Sequence, residues 1–153
     1  VLTRQNLPTL DRSQFASAEG VQRGAYVLAD LGGGQPEVIL MASGSEVSLI
    51  IEAGQRLVAL GRSVRLVSFP SWELFAEQDQ AYRDSVLLPE VRARVAVEAG
   101  VSQGWRQWVG DQGRILALDR FGASAPGEVV FKMFGFTPER VAELALETLA
   151  PKG

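Results

Sequence analysis

Residues 38–51 read VILMASGSEVSLII, and this stretch decides the fold class. Its first five residues, Val38–Ala42, are apolar without interruption, a pattern typical of a β-strand that is covered on both faces. From residue 45 to residue 60 the pattern changes, because apolar side chains now recur at the three- and four-residue spacing of an amphipathic helix. Gly61 follows as a helix C-cap. A doubly covered strand that leads into a helix indicates a buried, mostly parallel sheet.

The rest of the chain continues this alternation of strands and helices. We predict further strands at residues 24–28, 64–68, 94–98 and 115–118, and further helices at residues 81–86, 105–109, 125–134 and 138–149. Parallel neighbours need crossover connections, and these place helices on both faces of a sheet. The alternation therefore predicts an α/β fold, a three-layer α/β/α sandwich. Residues 1–22 contain Pro8 and show no apolar period, so we predict a linker arm without a packed element.

Length and charge exclude several classes of function. The 153 residues suffice for one domain, and 15 Lys plus Arg against 18 Asp plus Glu give a net charge of −3. Without a basic excess the attraction to phosphates is missing, so no nucleic-acid partner is expected. Because the apolar runs are short, no membrane span is expected, and we predict a soluble, cytoplasmic protein. The start at Val1 suggests a piece of something longer.

The chain contains no cysteine and no histidine. The lack of cysteine excludes disulfides, thiolate nucleophiles and zinc–thiolate sites. The lack of histidine excludes Ser-His-Asp, Cys-His and His-metal chemistry within this chain, since histidine is the usual general base near neutral pH. We therefore expect no self-contained catalytic machinery.

The loop Ser43-Gly44-Ser45-Glu46 is the best candidate for a binding site. Ligands of open α/β sheets bind beyond the carboxyl ends of the strands, and this loop connects a buried strand to a helix. It offers free backbone N–H groups and two hydroxyls, where an anion could bind. The same residues also fit a capping box, in which the Ser43 and Glu46 side chains each bind a backbone N–H. We favour capping alone, with anion binding as the alternative.

Three other features are candidates for a site. Glu98 ends a predicted strand and is either a site acid or the partner of an arginine, and we favour the ion pair because the chain has 13 arginines. Trp105 and Trp108 share a helical face and form either a stacking platform or, as we favour, part of a core or an interface. A polar cluster surrounds Phe121-Gly122 and forms a loop network or a contact to another chain: Asp119, Arg120 and Ser124.

Five segments resemble the transketolase family. They occur in the family's order and at matching intervals, and they span essentially the whole chain: TRQNLP (3–8), GAYVL (24–28), ASGSEV (42–47), RVAVEAG (94–100) and FGASAPG (121–127). The first resembles the segment that ends the family's pyrimidine-binding domain. The resemblance identifies residues 23–153 as a transketolase C-terminal domain and residues 1–22 as the linker arm from the preceding domain.

The resemblance implies a mixed five-stranded sheet with one antiparallel strand, ordered 1-3-2-4-5. In that order the connections reverse direction between residues 38–42 and 94–98, so a crevice bounded by the following residues is expected to hold an anion or a regulatory ligand: Ser43, Gly44, Ser45, Glu98 and Gly100. Arg4 takes the position of the family's arginine that contacts the phosphate of the sugar substrate. A guanidinium suits that task, because it can bind phosphate oxygens with two parallel hydrogen bonds.

The resemblance also implies an activity that this chain does not perform alone. Transketolases transfer a two-carbon ketol unit between sugar phosphates, with thiamine diphosphate and a divalent metal (Mg or Ca), as homodimers. The family's catalytic and cofactor-binding residues belong upstream, so we expect the fragment alone to be inactive and to bind neither cofactor nor metal. Its expected partners are the upstream domains and a second subunit. Its expected role is architectural, with Trp105, Trp108 and the Phe121 loop as apolar surface that the intact enzyme covers.

Three alternatives stay open. Related thiamine-diphosphate enzymes, such as deoxyxylulose-phosphate synthase or the β subunits of 2-oxo acid dehydrogenases, have similar C-terminal domains, although Arg4-Gln5-Asn6 favours transketolase. The chain could instead be a free-standing regulatory module that binds a small anion at residues 43–46. It could also be a pure interaction scaffold, which no small anion would stabilise against heat.

Overall fold

The computed structural model of the chain describes residues 6–150. A five-stranded sheet lies at its centre, and the strands are β1 (Tyr26–Leu31), β2 (Val38–Ala42), β3 (Val64–Ser68), β4 (Arg94–Val97) and β5 (Arg114–Leu116). Six helices connect and follow the strands: α1 (Glu46–Ala59), α2 (Trp72–Ala76), α3 (Gln80–Val86), α4 (Arg106–Val109), α5 (Gly127–Met133) and α6 (Pro138–Leu149). A short 3-10 helix, Ala18–Arg23, precedes β1.

The sheet has the order β1-β3-β2-β4-β5. Strands β2 to β5 run parallel to one another, and β1 pairs antiparallel with β3. The mixed sheet, its order and its single antiparallel strand therefore confirm the fold that the resemblance implies. We call the end of the sheet at which β2 to β5 finish the carboxyl edge. Because β1 is antiparallel, it starts at that edge, where Tyr26 pairs with Ser68.

Helices cover the sheet on both faces, as the alternation of elements predicts. The β2 side chains alternate between two apolar clusters: Val38, Leu40 and Ala42 pack on the α1 and α6 side, whereas Ile39 and Met41 pack on the side of α2, α3 and α4. All five β2 residues are buried. The uninterrupted apolar run thus exists because both of its faces are covered.

Several element boundaries differ from the prediction. The first strand starts at Tyr26 rather than at residue 24, because Gly24 adopts a left-handed conformation with φ of 82° in a tight turn. A Cβ on Gly24 would lie 2.3 Å from the Phe75 nitrogen, so this turn needs glycine. Helix α2 was not predicted at all. Its five residues are too few to show a helical period, although Ser71 caps it by accepting a hydrogen bond from the Leu74 N–H.

The predicted linker arm packs on the domain, which contradicts the expectation that it contains no packed element. Besides its 3-10 helix, the arm places Leu10 and Phe15 against the core cluster on the α1 and α6 side. The Ala16 N–H also donates a hydrogen bond to the Leu28 carbonyl of β1, at 2.9 Å. The prediction failed because apolar residues that pack singly show no period along the sequence.

Candidate functional site

Two loops meet at the carboxyl edge where β2 and β4 lie side by side. The chain leaves β2 toward α1 on one face of the sheet and leaves β4 toward α4 on the other, which opens a crevice between the two loops. Across this crevice the Ser43 hydroxyl donates a hydrogen bond to Glu98 Oε2, at 3.2 Å. Ser43 and Glu98 are 55 positions apart in sequence. The topology therefore brings together the two ends of the predicted crevice.

Glu46 is the most unusual residue in this crevice. It is the first residue of α1, its side chain is only 5% exposed, and the Ser45 hydroxyl donates a hydrogen bond to its Oε1, at 2.9 Å. Burial raises the pKa of the Glu46 carboxyl above its ordinary value, and the nearby Glu98 carboxylate raises it further. The raised pKa means that the Glu46 carboxyl keeps its proton to a higher pH than an exposed glutamate does.

The two glycines of the predicted crevice line the same carboxylates. A Cβ on Gly44, whose φ is 55°, would lie 3.8 Å from Glu46 Oε2, and a Cβ on Gly100 would lie 3.4 Å from Glu98 Oε1. The five predicted residues thus surround two carboxylates and two hydroxyls. Both hydroxyls already donate to a carboxylate. Carboxylates repel anions, so this arrangement suits a hydrogen-bond donor or a cation better than the anion that the sequence suggests. A ligand at the crevice stays a prediction.

The capping box predicted at residues 43–46 does not form. Ser45 is the N-cap residue of α1 and its side chain makes no capping hydrogen bond, while the Ser43 side chain points to Glu98. The Glu46 N–H instead donates to the Ser43 carbonyl, at 3.2 Å. The prediction failed because α1 begins later than the box requires: Ser45 is the N-cap residue, so Ser43 and Glu46 do not occupy the N-cap and N3 positions.

Arg4 lies outside the described residues, but the segment that follows it is well placed. Residues 7–10 border a cavity of about 260 Å³ together with Tyr26, Gly44, Val47 and Ser48. The arm therefore reaches the domain at the carboxyl edge, next to the crevice loop.

The other candidates are placed differently from their predictions. Within residues 6–150 Glu98 forms no ion pair with an arginine, so the favoured ion pair is wrong there. Trp105 is fully buried and Trp108 is half-buried, so neither offers a free stacking platform. Asp119 accepts a hydrogen bond from the Ser102 N–H at 2.8 Å, and this bond lowers the pKa of Asp119.

The tryptophans belong to an aromatic cluster. Trp105 packs edge-to-face against Phe69, with ring centroids 5.5 Å apart, and against Trp72, with centroids 5.3 Å apart. Its buried indole N–H has no hydrogen-bond partner in the described part of the chain. The cluster confirms the interpretation of these tryptophans as core residues. Neither is the exposed apolar surface that the sequence suggests, whereas Phe121, at 96% exposure, is.

Another residue of the Phe121 loop contacts the end of helix α5. The Arg120 guanidinium lies 5.3 Å from the centre of the Phe134 ring, next to the end of α5, and Ser124 is exposed. A cavity of about 430 Å³ lies between the end of β5 and Met133. Asp119 and Arg120 thus contact different partners, and no contact in the described residues joins them to each other or to Ser124.

Sequence reasoning missed two residues. Glu46 was interpreted only as a cap, and its burial became visible only with the fold. The strand pattern at residues 94–98 gives Arg94 no role, yet its guanidinium donates hydrogen bonds to four backbone carbonyls. An arginine between the apolar residues of a strand was the signal that could have identified it.

The described residues offer no metal site and no membrane span. Between residues 6 and 150 there is no group of three or more His, Cys, Asp or Glu side chains that could hold a metal ion. None of the helices in this part of the chain is long and apolar enough to cross a bilayer.

Comparison with known proteins gives a consistent result. Residues 24–137 match the family model of the transketolase-like C-terminal domain. The transketolase of Aquifex aeolicus is 49% identical over 147 residues, which are 96% of this chain and 21% of that enzyme. The transketolase of Geobacillus stearothermophilus is 50% identical over 141 residues, 92% of this chain and 21% of the relative. A crystal structure of the Pichia stipitis transketolase in complex with sedoheptulose-7-phosphate superposes with a TM-score of 0.84 at 37% identity, covering 95% of this chain and 20% of that one. The chain thus spans about a fifth of the length of these relatives.

Proposed function

This chain belongs to the transketolase family as a C-terminal domain, and we propose that it is part of a longer enzyme that transfers two-carbon ketol units between sugar phosphates. The observation that carries this proposal is the match to transketolases at nearly 50% identity over almost the whole chain. The Pichia stipitis relative was crystallised with sedoheptulose-7-phosphate, which supports a sugar phosphate as substrate. The proposal includes a cytoplasmic enzyme that acts as a homodimer.

The proposal assigns cofactor chemistry to the upstream part of the enzyme. Thiamine diphosphate would supply the carbanion chemistry of ketol transfer, and its diphosphate would need a divalent metal. The described residues contain no suitable group of metal ligands, and the chain contains no histidine to move protons. The residues present therefore do not fit the cofactor, and we derive no catalytic step from them. We propose an architectural role for the domain, in which it supports the dimer.

Arg4 is the one residue of this chain that we propose to contact substrate. Its support is the TRQNLP segment and the position of the following residues at the carboxyl edge. There the arm is held by packing, so the segment before it starts from a defined place. A guanidinium at its end would bind the substrate phosphate with charge-assisted hydrogen bonds.

The native size of the protein tests the proposal most directly. A lysate of the source cells is blotted with an antibody against this domain, and we expect a band several times larger than the 16.5 kDa of this chain. The purified larger protein is then assayed for ketol transfer between sugar phosphates, with the 153-residue chain as the comparison. A band at 16.5 kDa would favour the free-standing module instead. Ketol transfer by the 153-residue chain alone would refute the assignment of catalysis to the upstream part.

Arg4→Gln in the longer enzyme tests the phosphate contact. A hydrogen bond to a charged group contributes about 1.5–3 kcal/mol, so we expect the KM for a sugar phosphate to rise roughly 10- to 150-fold. The rates with a ketose that lacks a phosphate should not change. Arg12→Gln is the matched control, because Arg12 lies on the same arm, is exposed and, among residues 6–150, donates only to the Ala16 carbonyl. An equal loss with both ketoses would refute the phosphate role.

A further inference from the structure

The arm packs around one side chain of the first strand. Tyr26 begins β1 at the carboxyl edge, and it belongs to the buried apolar cluster on the α1 and α6 side. The 3-10 helix of the arm brings Gly20 so close to the Tyr26 ring that a Cβ on this glycine would lie 2.3 Å from Tyr26 Cγ. Residues 7–10, much earlier on the arm, border the same cavity of about 260 Å³ as Tyr26. Two separate parts of the arm therefore meet at Tyr26.

Further contacts hold the arm between these two parts. Leu10 and Phe15 pack against the apolar cluster that contains Tyr26. The Ala16 N–H donates a hydrogen bond to the carbonyl of Leu28, on the same strand as Tyr26, at 2.9 Å. The arm is thus fastened to the first half of β1 both by side-chain packing and by its backbone.

The arm also contains a turn that directs its apolar side chains toward the domain. The Asp11 carboxylate accepts hydrogen bonds from the Ser13 N–H and from the Gln14 side-chain amide, each at 2.9 Å. The Asp11 carbonyl accepts a further hydrogen bond from the Phe15 N–H, at 3.0 Å. Such a turn reverses the chain locally, so Leu10 before it and Phe15 after it both reach the core.

We infer that Tyr26 is a positioning residue for Arg4, because it holds the arm in the place from which the Arg4 guanidinium reaches the substrate phosphate. This inference rests on the proposed function, since it needs a substrate phosphate at Arg4. Arg4 is three positions before Leu7, and three residues span at most roughly 10 Å. Whatever fixes residues 7–10 therefore restricts where the Arg4 guanidinium can go. Tyr26 itself needs no contact with the substrate for this role.

The effect of removing the Tyr26 ring follows from the freedom that the arm gains. In Tyr26→Ala a gap replaces the ring between Gly20 and the cavity beside residues 7–10, so the arm loses its fixed packing there. The segment that contains Arg4 must then be ordered each time a phosphate binds. The conformational entropy of about one backbone residue corresponds to a roughly 5- to 30-fold change in affinity. We therefore expect the KM for a sugar phosphate to rise by roughly that factor, with kcat unchanged.

The experiment measures ketol transfer by the longer enzyme with two ketoses, one that carries a phosphate and one that does not. Tyr26→Ala should raise the KM for the phosphorylated ketose only, whereas Tyr26→Phe, which keeps the ring, should retain the parental KM. Leu31→Ala is the matched control, because Leu31 lies at the other end of β1, is half-buried and packs against the same cluster. It should change neither KM. An unchanged KM in Tyr26→Ala would overturn the inference, as would an equal rise with both ketoses or in Leu31→Ala.

Gly20→Ala perturbs the same side chain without removing it, and it takes the place of Tyr26→Ala if that protein does not fold. Its Cβ would collide with the Tyr26 ring, so the ring or the arm must move. We expect the KM for the phosphorylated ketose to rise here as well. Gly127→Ala is the control glycine, since a Cβ there would meet no other atom within 4 Å. A parental KM in Gly20→Ala, or an equal rise in Gly127→Ala, would contradict the inference.

A double substitution separates a failure of this inference from a failure of the proposed function. If Tyr26 acts through Arg4, then Tyr26→Ala should raise the KM no further once Arg4→Gln is present. Additive increases in the double variant would overturn the inference and leave the phosphate contact of Arg4 standing. A parental KM in Arg4→Gln alone would instead refute the proposed phosphate contact.

Discussion

Replacing Arg94 with methionine should remove several hydrogen bonds that join three elements of the domain. The Arg94 Nε donates to the Val91 carbonyl at 2.9 Å, and Nη1 donates to the Trp108 carbonyl of α4 at 2.9 Å. Nη2 donates to the Leu87 and Leu88 carbonyls, which follow the end of α3, at 3.1 and 2.9 Å. Helix ends favour a cation near their last carbonyls, so the guanidinium is well suited to this position.

The expected loss of stability follows from these four hydrogen bonds. Each contributes about 1 kcal/mol net, and a carbonyl left without a partner in a half-buried place is only partly rescued by water. We therefore expect Arg94→Met to lower the free energy of unfolding by roughly 3–4 kcal/mol, a large share of the 5–15 kcal/mol typical of a domain. Methionine keeps the apolar part of the side chain, so little of this loss comes from packing.

Arg92 provides a matched control on the same segment. It pairs with Asp111 at 2.6 Å, but both side chains are mostly exposed, at 57% and 72%. Exposed ion pairs contribute little, so Arg92→Met should cost less than about 1 kcal/mol. Urea denaturation followed by tryptophan fluorescence and circular dichroism gives both values, because Trp108 lies beside Arg94. Equal losses for the two variants would refute the argument that the carbonyl contacts of Arg94 stabilise the fold.

Two other substitutions test the glycines and the crevice. Gly104→Ala should destabilise the domain by at least about 1 kcal/mol more than Gly110→Ala in urea denaturation. Both glycines have positive φ, but of the two only Gly104 would place a Cβ against the Trp72 ring, at 2.4 Å. Equal losses for the two variants would contradict this reasoning. Burial raises the pKa of Glu46 above its ordinary 4.5, so the folded state binds the proton more tightly than the unfolded state. The contribution of Glu46 to stability therefore falls as the pH rises from about 4.5 through the raised pKa. Glu46→Gln should remove this part of the decline in melting temperature. Glu37→Gln is the control with the opposite sign, because hydrogen bonds from Ser63 and Arg62 lower the pKa of Glu37. If the melting temperature of the Glu46→Gln variant depends on pH as that of the parent does, the effect is refuted.

The elements that the sequence predicts well are those whose burial repeats along the chain. Strand β2 was predicted at its observed limits because five consecutive buried residues leave an unmistakable pattern, and α6 because Thr137 and Pro138 mark its start. Helix α2 was missed because its five residues span little more than one turn. The antiparallel β1 came only from the family resemblance, since strand direction leaves no trace in periodicity.

The crevice shows where local reasoning stops. The sheet order that the resemblance implies places the loops after β2 and β4 side by side, and the hydrogen bond between Ser43 and Glu98 shows that they are neighbours, while a ligand between them stays a prediction. The partner of Ser43 could not be predicted from neighbouring residues, because Glu98 lies 55 positions away in the sequence. The burial of Trp105 likewise depends on Phe69 and Trp72, which come from other segments.

The irregular pairing of β1 has a consequence for how the protein behaves in concentrated solution. The register of β1 with β3 shifts between Val27 and Ala29, and the Leu28 carbonyl accepts a hydrogen bond from Ala16 on the arm. Strand β1 forms one border of the sheet, where a straight, uncovered strand would invite intermolecular β-pairing. The register shift interrupts the regular pairing at that border and the arm covers part of it, while β5 at the other border is only three residues long. Both borders are therefore poorly suited to intermolecular β-pairing. The arm thus protects the sheet from self-association in addition to leading the chain into β1.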